Sequence, residues 1–430
     1  MTERLLTKRH WLAILIFGLF GQFAWTIENM YFNVFMYNTI TTDSQMLANM
    51  IFASAVVATV TTLLMGVLTD KLGRRKGFIV LGYILWGLST LSFAFISVDN
   101  VAAFFPTVNA VTLAAVLVIV MDCVMTFFGS TANDAAFNAW INDITPAKQR
   151  GRVETVLAVM PLVAMLIIFG GFDWLTQAGE WQLFFLIFGL MIIVGGVVGM
   201  FVIDERPPKV SSDTTYLGNI IYGFKWQVVK ENRILYAALS MLAILGISTQ
   251  IFMPFLIIYM QKYLGWDNYA LPLGVILILS SIVSVLSGKW LDRIGKLKFL
   301  SFALLIEIIG LLGLYISRNV FPIIFVGVLT VGGNMIATAC INGIVRDFTP
   351  KDRSGHFQGV RMFFNVLIPM AFGPYIGSFV IKGSGETYQE LGEIKEVPAP
   401  SIFFASAIVL IFLFAARWLM NSLWKEEKIR

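Results

Sequence analysis

Charge is what this chain has least of. Only 13% of its 430 residues are Asp, Glu, Lys or Arg, against 58% hydrophobic residues and a mean hydropathy of +0.80. A soluble globular domain carries roughly 25% charge, so this composition excludes one. Cysteine is almost absent: Cys123 and Cys340 both fall inside apolar stretches, which argues against a disulfide framework. The two histidines, His10 and His356, lie too close to one membrane surface to argue for a proton relay. No metal-ligand cluster, nucleophile–base motif or phosphate loop is present, so neither an enzyme nor a bound cofactor is expected. A cleavable signal peptide is also missing. Met1–His10 is basic, but the apolar run that follows is full length and lacks a small-residue cleavage site, so it reads as a first membrane helix.

What the chain has instead is a series of apolar runs of about 20 residues, each long enough to cross a bilayer. They lie near 11–37, 47–69, 77–97, 111–141, 153–175 and 181–203, then near 234–261, 270–291, 298–317, 320–346, 357–381 and 400–423. Twelve crossings put both termini on one side. Of the 31 Lys and Arg residues, only Lys262, Arg318, Lys382 and Lys395 fall on the opposite side. By the positive-inside rule both termini are expected in the cytoplasm, with the protein in the plasma (inner) membrane. The net charge of +5 follows from the same bias, and no nucleic-acid partner is expected.

Two short patterns recur at about half-length spacing. Gly66-Val-Leu-Thr-Asp70-Lys71-Leu-Gly73-Arg74-Arg75-Lys76 follows the second run, and Gly288-Lys-Trp-Leu-Asp292-Arg293-Ile-Gly295-Lys296-Leu-Lys298 follows the eighth, 222 residues later. Asn142-Asp143-Ile-Thr145-Pro146 after the fourth run is matched by Arg346-Asp347-Phe-Thr349-Pro350 after the tenth. The chain therefore divides into a six-helix bundle over 1–203, a cytoplasmic linker over 204–233 and a second bundle over 234–430. In the linker, Leu217, Ile220, Ile221, Phe224 and Val228 share a helical spacing that suggests an amphipathic helix on the inner membrane surface. The polar outer loop Gly383–Pro400 is assigned no role.

Carboxylates inside spans are costly and are functional candidates by default. Glu28 is the first, mid-way along the first run and accompanied by Gln22, Trp25, Asn29, Tyr31 and Asn33. Amides and a carboxylate exchange hydrogen bonds with hydroxyl groups, and flat rings cover the apolar faces of sugars, so this set suits a hydroxylated small-molecule substrate. Gln250 lies at the matching depth of the second half, and Asn365 in the eleventh run joins the same substrate-binding set. Asp122 and Asp134 in the fourth run are, with Glu28, the candidates for proton coupling. Asp122 and Asn133 are three turns apart, while Ser130, Asp134 and Asn138 form an adjacent stripe. The alternative for each acid is a polar contact that holds helices together. Glu307 in the ninth run is the weaker candidate, with a local polar contact favoured there. Arg361 either binds substrate or pairs with an acid at the inner gate, and the gate is favoured. Gly373-Pro374-Tyr-Ile-Gly377 marks a kink or close packing.

The repeated Asp-basic-x-Gly-basic loop resembles the signature between the second and third helices of the major facilitator superfamily. That resemblance covers essentially the whole chain and implies an all-α integral membrane fold of twelve helices in two pseudo-symmetric six-helix bundles. It implies a secondary transporter working by alternating access, expected as a monomer. It also implies a conformational latch: Asp70 caps the eleventh helix, while Arg74 and Arg75 meet Asp143 and Glu205, and Asp292, Arg293 and Asp347 form the mirrored set. The fifth run lacks the Gly-Pro-x-x-Gly pattern of drug–proton antiporters. The first and eleventh runs loosely resemble glycoside–pentoside–hexuronide and sucrose-transporter-like sugar symporters. The paired second-helix aspartates of the sodium-coupled members are missing from Leu47–Leu68, so a proton is preferred over sodium as coupling ion. Proton-coupled import of a sugar or small glycoside is the expected activity, with export of hydrophobic or cationic compounds as the alternative.

Overall fold

The computed structural model describes residues 6–146, 149–204, 223–350, 354–390 and 393–429. Twelve long helices account for nearly all of it. The first six are α1 (Lys8–Ile40), α2 (Ser44–Leu72), α3 (Lys76–Phe95), α4 (Ala110–Ile144), α5 (Arg150–Gly171) and α6 (Trp181–Val202). The second six are α7 (Arg233–Tyr263), α8 (Ala270–Ile294), α9 (Lys296–Ile316), α10 (Val320–Phe348), α11 (Gly359–Ser384) and α12 (Ser401–Ile429). Among the described residues, 11 of these are long and apolar enough to cross a membrane. The exception is α5, whose apolar part, Thr155–Gly171, is shorter. A two-stranded antiparallel hairpin, β1 (Thr387–Glu390) with β2 (Glu393–Glu396), occupies the loop before α12.

The helices divide into two compact units. Unit 1 holds α1, α2 from Val56 onward, and α3 to α6; unit 2 holds α7 to α12 together with Thr42–Ala55 at the start of α2. That start of α2 joins unit 2 through α11. Ser44 and Ser378 share a buried hydrogen bond of 2.8 Å, the Tyr375 hydroxyl donates to Asn49 Oδ1 at 2.8 Å, and Lys382 pairs with Asp43 at 2.9 Å.

Helices that are apolar all round gain little from sidedness and pack through shape. In unit 1 a close seam joins α3 and α6. A side chain at Gly87 would place its Cβ 2.6 Å from the Gly189 carbonyl oxygen, so only glycine lets these backbones meet. In unit 2, α11 lies on α7 in the same way: Gly373 and Gly377 face Gln250 and Ile251. The Gly373–Gly377 pattern therefore resolves to close packing.

Both predicted loop turns are built as the sequence demands. Gly73 has φ +63° and Gly295 φ +88°, a left-handed conformation that side-chain-bearing residues rarely adopt. The expected linker helix, with Leu217, Ile220 and Ile221, lies outside the described residues. Where the chain is described, Phe224 sits in a turn and a short helix spans Trp226–Glu231.

Candidate functional site

Glu28 sits where α1 departs from regular α-geometry. Ile27–Tyr31 is a π-helical turn, a local widening that often marks functional positions because it frees backbone and re-aims side chains. The Glu28 side chain turns inward, and the residue is only 7% exposed. Its Oε1 accepts a hydrogen bond of 2.9 Å from the Thr126 hydroxyl of α4. Asp122, one turn before Thr126 and 1% exposed, is close enough for the two carboxyl groups to interact electrostatically. The second oxygen, Oε2, is buried and has no hydrogen-bond partner among the described residues. No basic side chain among those residues contributes to the field at Glu28. Two buried acids thus lie close together within unit 1.

An aromatic and amide wall flanks the acids. The Trp25 and Trp86 rings have centroids 5.0 Å apart, and Tyr83 packs edge-on to Trp86 at 5.4 Å. The Asn133 amide donates to the Tyr83 hydroxyl at 2.6 Å, which in turn donates to the Phe17 carbonyl at 2.9 Å. Asn133 belongs to a second π-helical stretch, Ser130–Phe137, in α4. Regular three-turn spacing puts Asn133 in line with Asp122; the widened turns instead aim it at Tyr83 and Gly21. The Trp86 indole N–H is buried without a partner among the described residues.

The other predicted residues are placed as follows. Gln22 and Trp25 are half-buried, and Asn29 is exposed, with its amide on the Trp25 carbonyl at 2.7 Å. Asn33 is 1% exposed and donates to the Asn29 carbonyl at 2.9 Å, leaving its Oδ1 without a partner among the described residues. Tyr31 is fully buried and donates to Asp173 Oδ1 at 2.8 Å, with its ring against Phe169 and Phe184. That contact ties α1 to the segment between α5 and α6. Asp134 is half-buried, and exposed Asn138 donates to its carbonyl at 3.3 Å. In unit 2, Gln250 is half-buried against Gly373, and Asn365 is exposed on a π-helical turn, Phe363–Leu367.

The loop residues divide in the same way. Arg75, 4% exposed, donates through Nε to Asp143 Oδ2 at 3.2 Å and through Nη1 to the Thr69 hydroxyl at 2.7 Å. Arg74 is exposed. Side chains of Asp70 and Asp292, and all of Glu205, lie outside the described residues. At the end of α6 the acid that takes a base is Asp204, which pairs with Arg9 at 2.9 Å and has His10 at 3.5 Å. The mirrored set needs one correction: Lys296, and not Arg293, pairs with Asp347. Arg293 is exposed. The repeat puts Leu297 where the first half has Arg75, so the neighbouring lysine fills the role. Arg361 also differs from the expectation of an acid partner. Its Nη2 donates to the Asn342 amide oxygen at 3.1 Å, and the charge it feels is that of Arg346.

Thr126, Tyr83, Lys296 and Asp204 are the residues that sequence reasoning missed. Thr126 had a signal, since it lies one turn from Asp122 on the same face. Tyr83 and Asp204 had none, because their partners come from helices distant in sequence.

The family model of the Major Facilitator Superfamily matches residues 14–374 and 241–428. A tetracycline resistance protein, class E, of Escherichia coli is 28% identical over 188 residues, a match spanning 42% of this chain and 42% of that protein. Among solved structures, a bacterial homolog of the human lysosomal transporter Spinster, inward-facing and unoccupied, superposes with TM-score 0.69 at 15% identity, covering 97% of this chain and 98% of its own. The nucleoside transporter NupG gives 0.68 at 13% identity over 96% and 98%. The xylose transporter XylE of E. coli, partially occluded and inward open, gives 0.65 at 13% over 95% and 97%. At these identities the structural likeness speaks for the fold.

Proposed function

The chain belongs to the Major Facilitator Superfamily, and from that premise we propose that it imports a sugar or small glycoside by alternating access, driven by protons. Family membership makes it a multi-pass integral membrane transporter and not an enzyme, with the bilayer and a small-molecule solute as its partners. The observation that carries the coupling reading is Glu28, held on a π-helical turn, bonded by Thr126 and facing Asp122 with one oxygen unpartnered among the described residues. A proton bound by this pair relieves the repulsion between two buried carboxyl groups, and its release is a step that can be tied to solute movement.

The solute class rests on the wall beside the acids. Trp25 offers a half-buried ring for the apolar face of a pyranose or furanose, and Gln22 and Asn29 offer amides for its hydroxyls. XylE and NupG, named for xylose and nucleosides, carry solutes with a sugar ring on the same fold. The protein acts as a monomer in the plasma (inner) membrane, with both termini cytoplasmic, no nucleic-acid partner, and the proton rather than sodium as coupling ion.

One observation favours a second reading. The tetracycline resistance relative is named for a drug phenotype, which supports export of hydrophobic or cationic compounds. Proteoliposomes separate the two. An inward proton gradient should drive uptake of a labelled mono- or disaccharide, and tetracycline should not exchange for protons. Proton-driven tetracycline movement with no saccharide flux would replace the import reading by the export one.

A further inference from the structure

One buried acid has no part in that scheme. Glu307 lies mid-way along α9, 1% exposed. Its Oε1 accepts from Asn334 Nδ2 of α10 at 3.0 Å, and the same Nδ2 reaches the Thr249 hydroxyl of α7 at 3.0 Å. Its Oε2 is buried with no hydrogen-bond partner among the described residues. The close approach is built into the sequence at Gly333, where a Cβ would fall 2.8 Å from the Glu307 backbone nitrogen.

Among the described residues, the surroundings supply polarity but no charged partner. The group facing Glu307 from α10 is Asn334; Arg346 and Asp347 on that helix lie at least 12 residues further on, about 18 Å at 1.5 Å per residue. The group facing it from α7 is Thr249, with Arg233 and Lys262 only at the helix ends. On α9 itself, Lys296 is taken by Asp347 at the end of the helix and Lys298 is exposed in the same turn; on α8 Arg293 is exposed in the last turn. From α12, Arg417 is bonded to the Leu297 carbonyl at 2.9 Å. A carboxyl held like this is expensive as a bare ion, and a proton on Oε2 removes that charge.

We propose that Glu307, Asn334 and Thr249 form a second proton-binding site, contained within unit 2 and independent of the Glu28–Asp122 pair. The ligand is a proton, held on Oε2. The site is wired to α7. Asn334 divides its Nδ2 between Glu307 and Thr249, so protonation of the acid changes how strongly the amide is drawn from Thr249. Thr249 adjoins Gln250 and lies one turn before Met253–Phe255, where a 3-10 turn containing Pro254 interrupts α7. A proton on α9 therefore acts on the break in α7. The inference uses the geometry of unit 2 alone, so it stands or falls separately from the import reading.

Infrared difference spectroscopy on the purified protein in lipid nanodiscs tests it, between about pH 5 and about pH 9, where ordinary carboxyls and histidines can be told apart. A titrating carboxyl C=O band should survive in the E28Q/D122N/D134N variant and vanish when E307Q is added. In N334L the band should shift in frequency, because Oε1 loses its amide donor. A spectrum unchanged by E307Q overturns the site. A band lost in E307Q but unmoved in N334L overturns the shared-amide geometry. If E307Q does not fold, the N334L shift in the E28Q/D122N/D134N background decides.

Discussion

Replacing Arg75 by alanine removes a side chain that is 4% exposed and whose bonds include those to Asp143 at 3.2 Å and to Thr69 at 2.7 Å. Hydrogen bonds to charged groups are worth about 1.5–3 kcal/mol, and breaking a fully buried ion pair costs about 3–5 kcal/mol. The Asp143 side chain is 27% exposed, so water recovers part of its loss and the upper figure does not apply. The expected cost of Arg75→Ala is therefore about 2–3 kcal/mol, of which about 1–2 kcal/mol is coupling to Asp143. The assay is a double-mutant cycle (Arg75→Ala, Asp143→Ala and both) read by reversible unfolding in mixed micelles titrated with denaturing detergent. Arg75→Lys should fall between, since an ammonium retains the charge without the planar fork that reaches both partners. A coupling energy within about 0.3 kcal/mol of zero would show that the pair is solvated and refute the latch as drawn.

Two further outcomes follow from packing. Gly87→Val drives a side chain into the Gly189 carbonyl and Ile193, each 2.6 Å from the ideal Cβ, and should cost about 1–3 kcal/mol with a loss of folded yield; wild-type stability would mean that α3 and α6 are not seamed there. Ser248 and Ser406 bond each other's hydroxyl at 2.7 Å and each other's carbonyl at 3.0 and 2.8 Å. Either alanine substitution should cost about 1 kcal/mol, and the double variant should cost less than the sum; strict additivity in thermal unfolding would deny the reciprocal pair.

Helix positions and loop turns were legible because each is decided locally. Apolar length fixes the spans, and Gly73 and Gly295 take the left-handed turn that the Asp-basic-x-Gly pattern requires. Side-chain partnerships were not legible, because they depend on which helices touch. Glu28 finds Thr126 98 residues away, and Tyr31 finds Asp173 142 residues away. Helical periodicity shows which face a residue lies on, never what it faces. Periodicity itself fails at Ser130–Phe137 and Ile27–Tyr31, where π-helical turns shift the register by which Asn133 and Glu28 would be placed. In the mirrored loop Arg293 is the counterpart of Lys71 and Leu297 that of Arg75, so the pairing with Asp347 falls to Lys296, the counterpart of Arg74. Glu307 is the reverse case. The sequence favours a local polar contact there, and Asn334 supplies it, but near-total burial with an oxygen left over among the described residues is a tertiary fact.

The most direct test of proton coupling is to count protons against solute in sealed proteoliposomes. With a pH-sensitive dye trapped inside, adding a transported saccharide outside should acidify the lumen in wild type. Glu28→Gln and Asp122→Asn should abolish both that acidification and uphill accumulation, while equilibrium exchange of labelled saccharide continues. Accumulation that persists in Glu28→Gln, or that ignores a collapsed proton gradient in wild type, would contradict the assignment of the buried pair on α1 and α4.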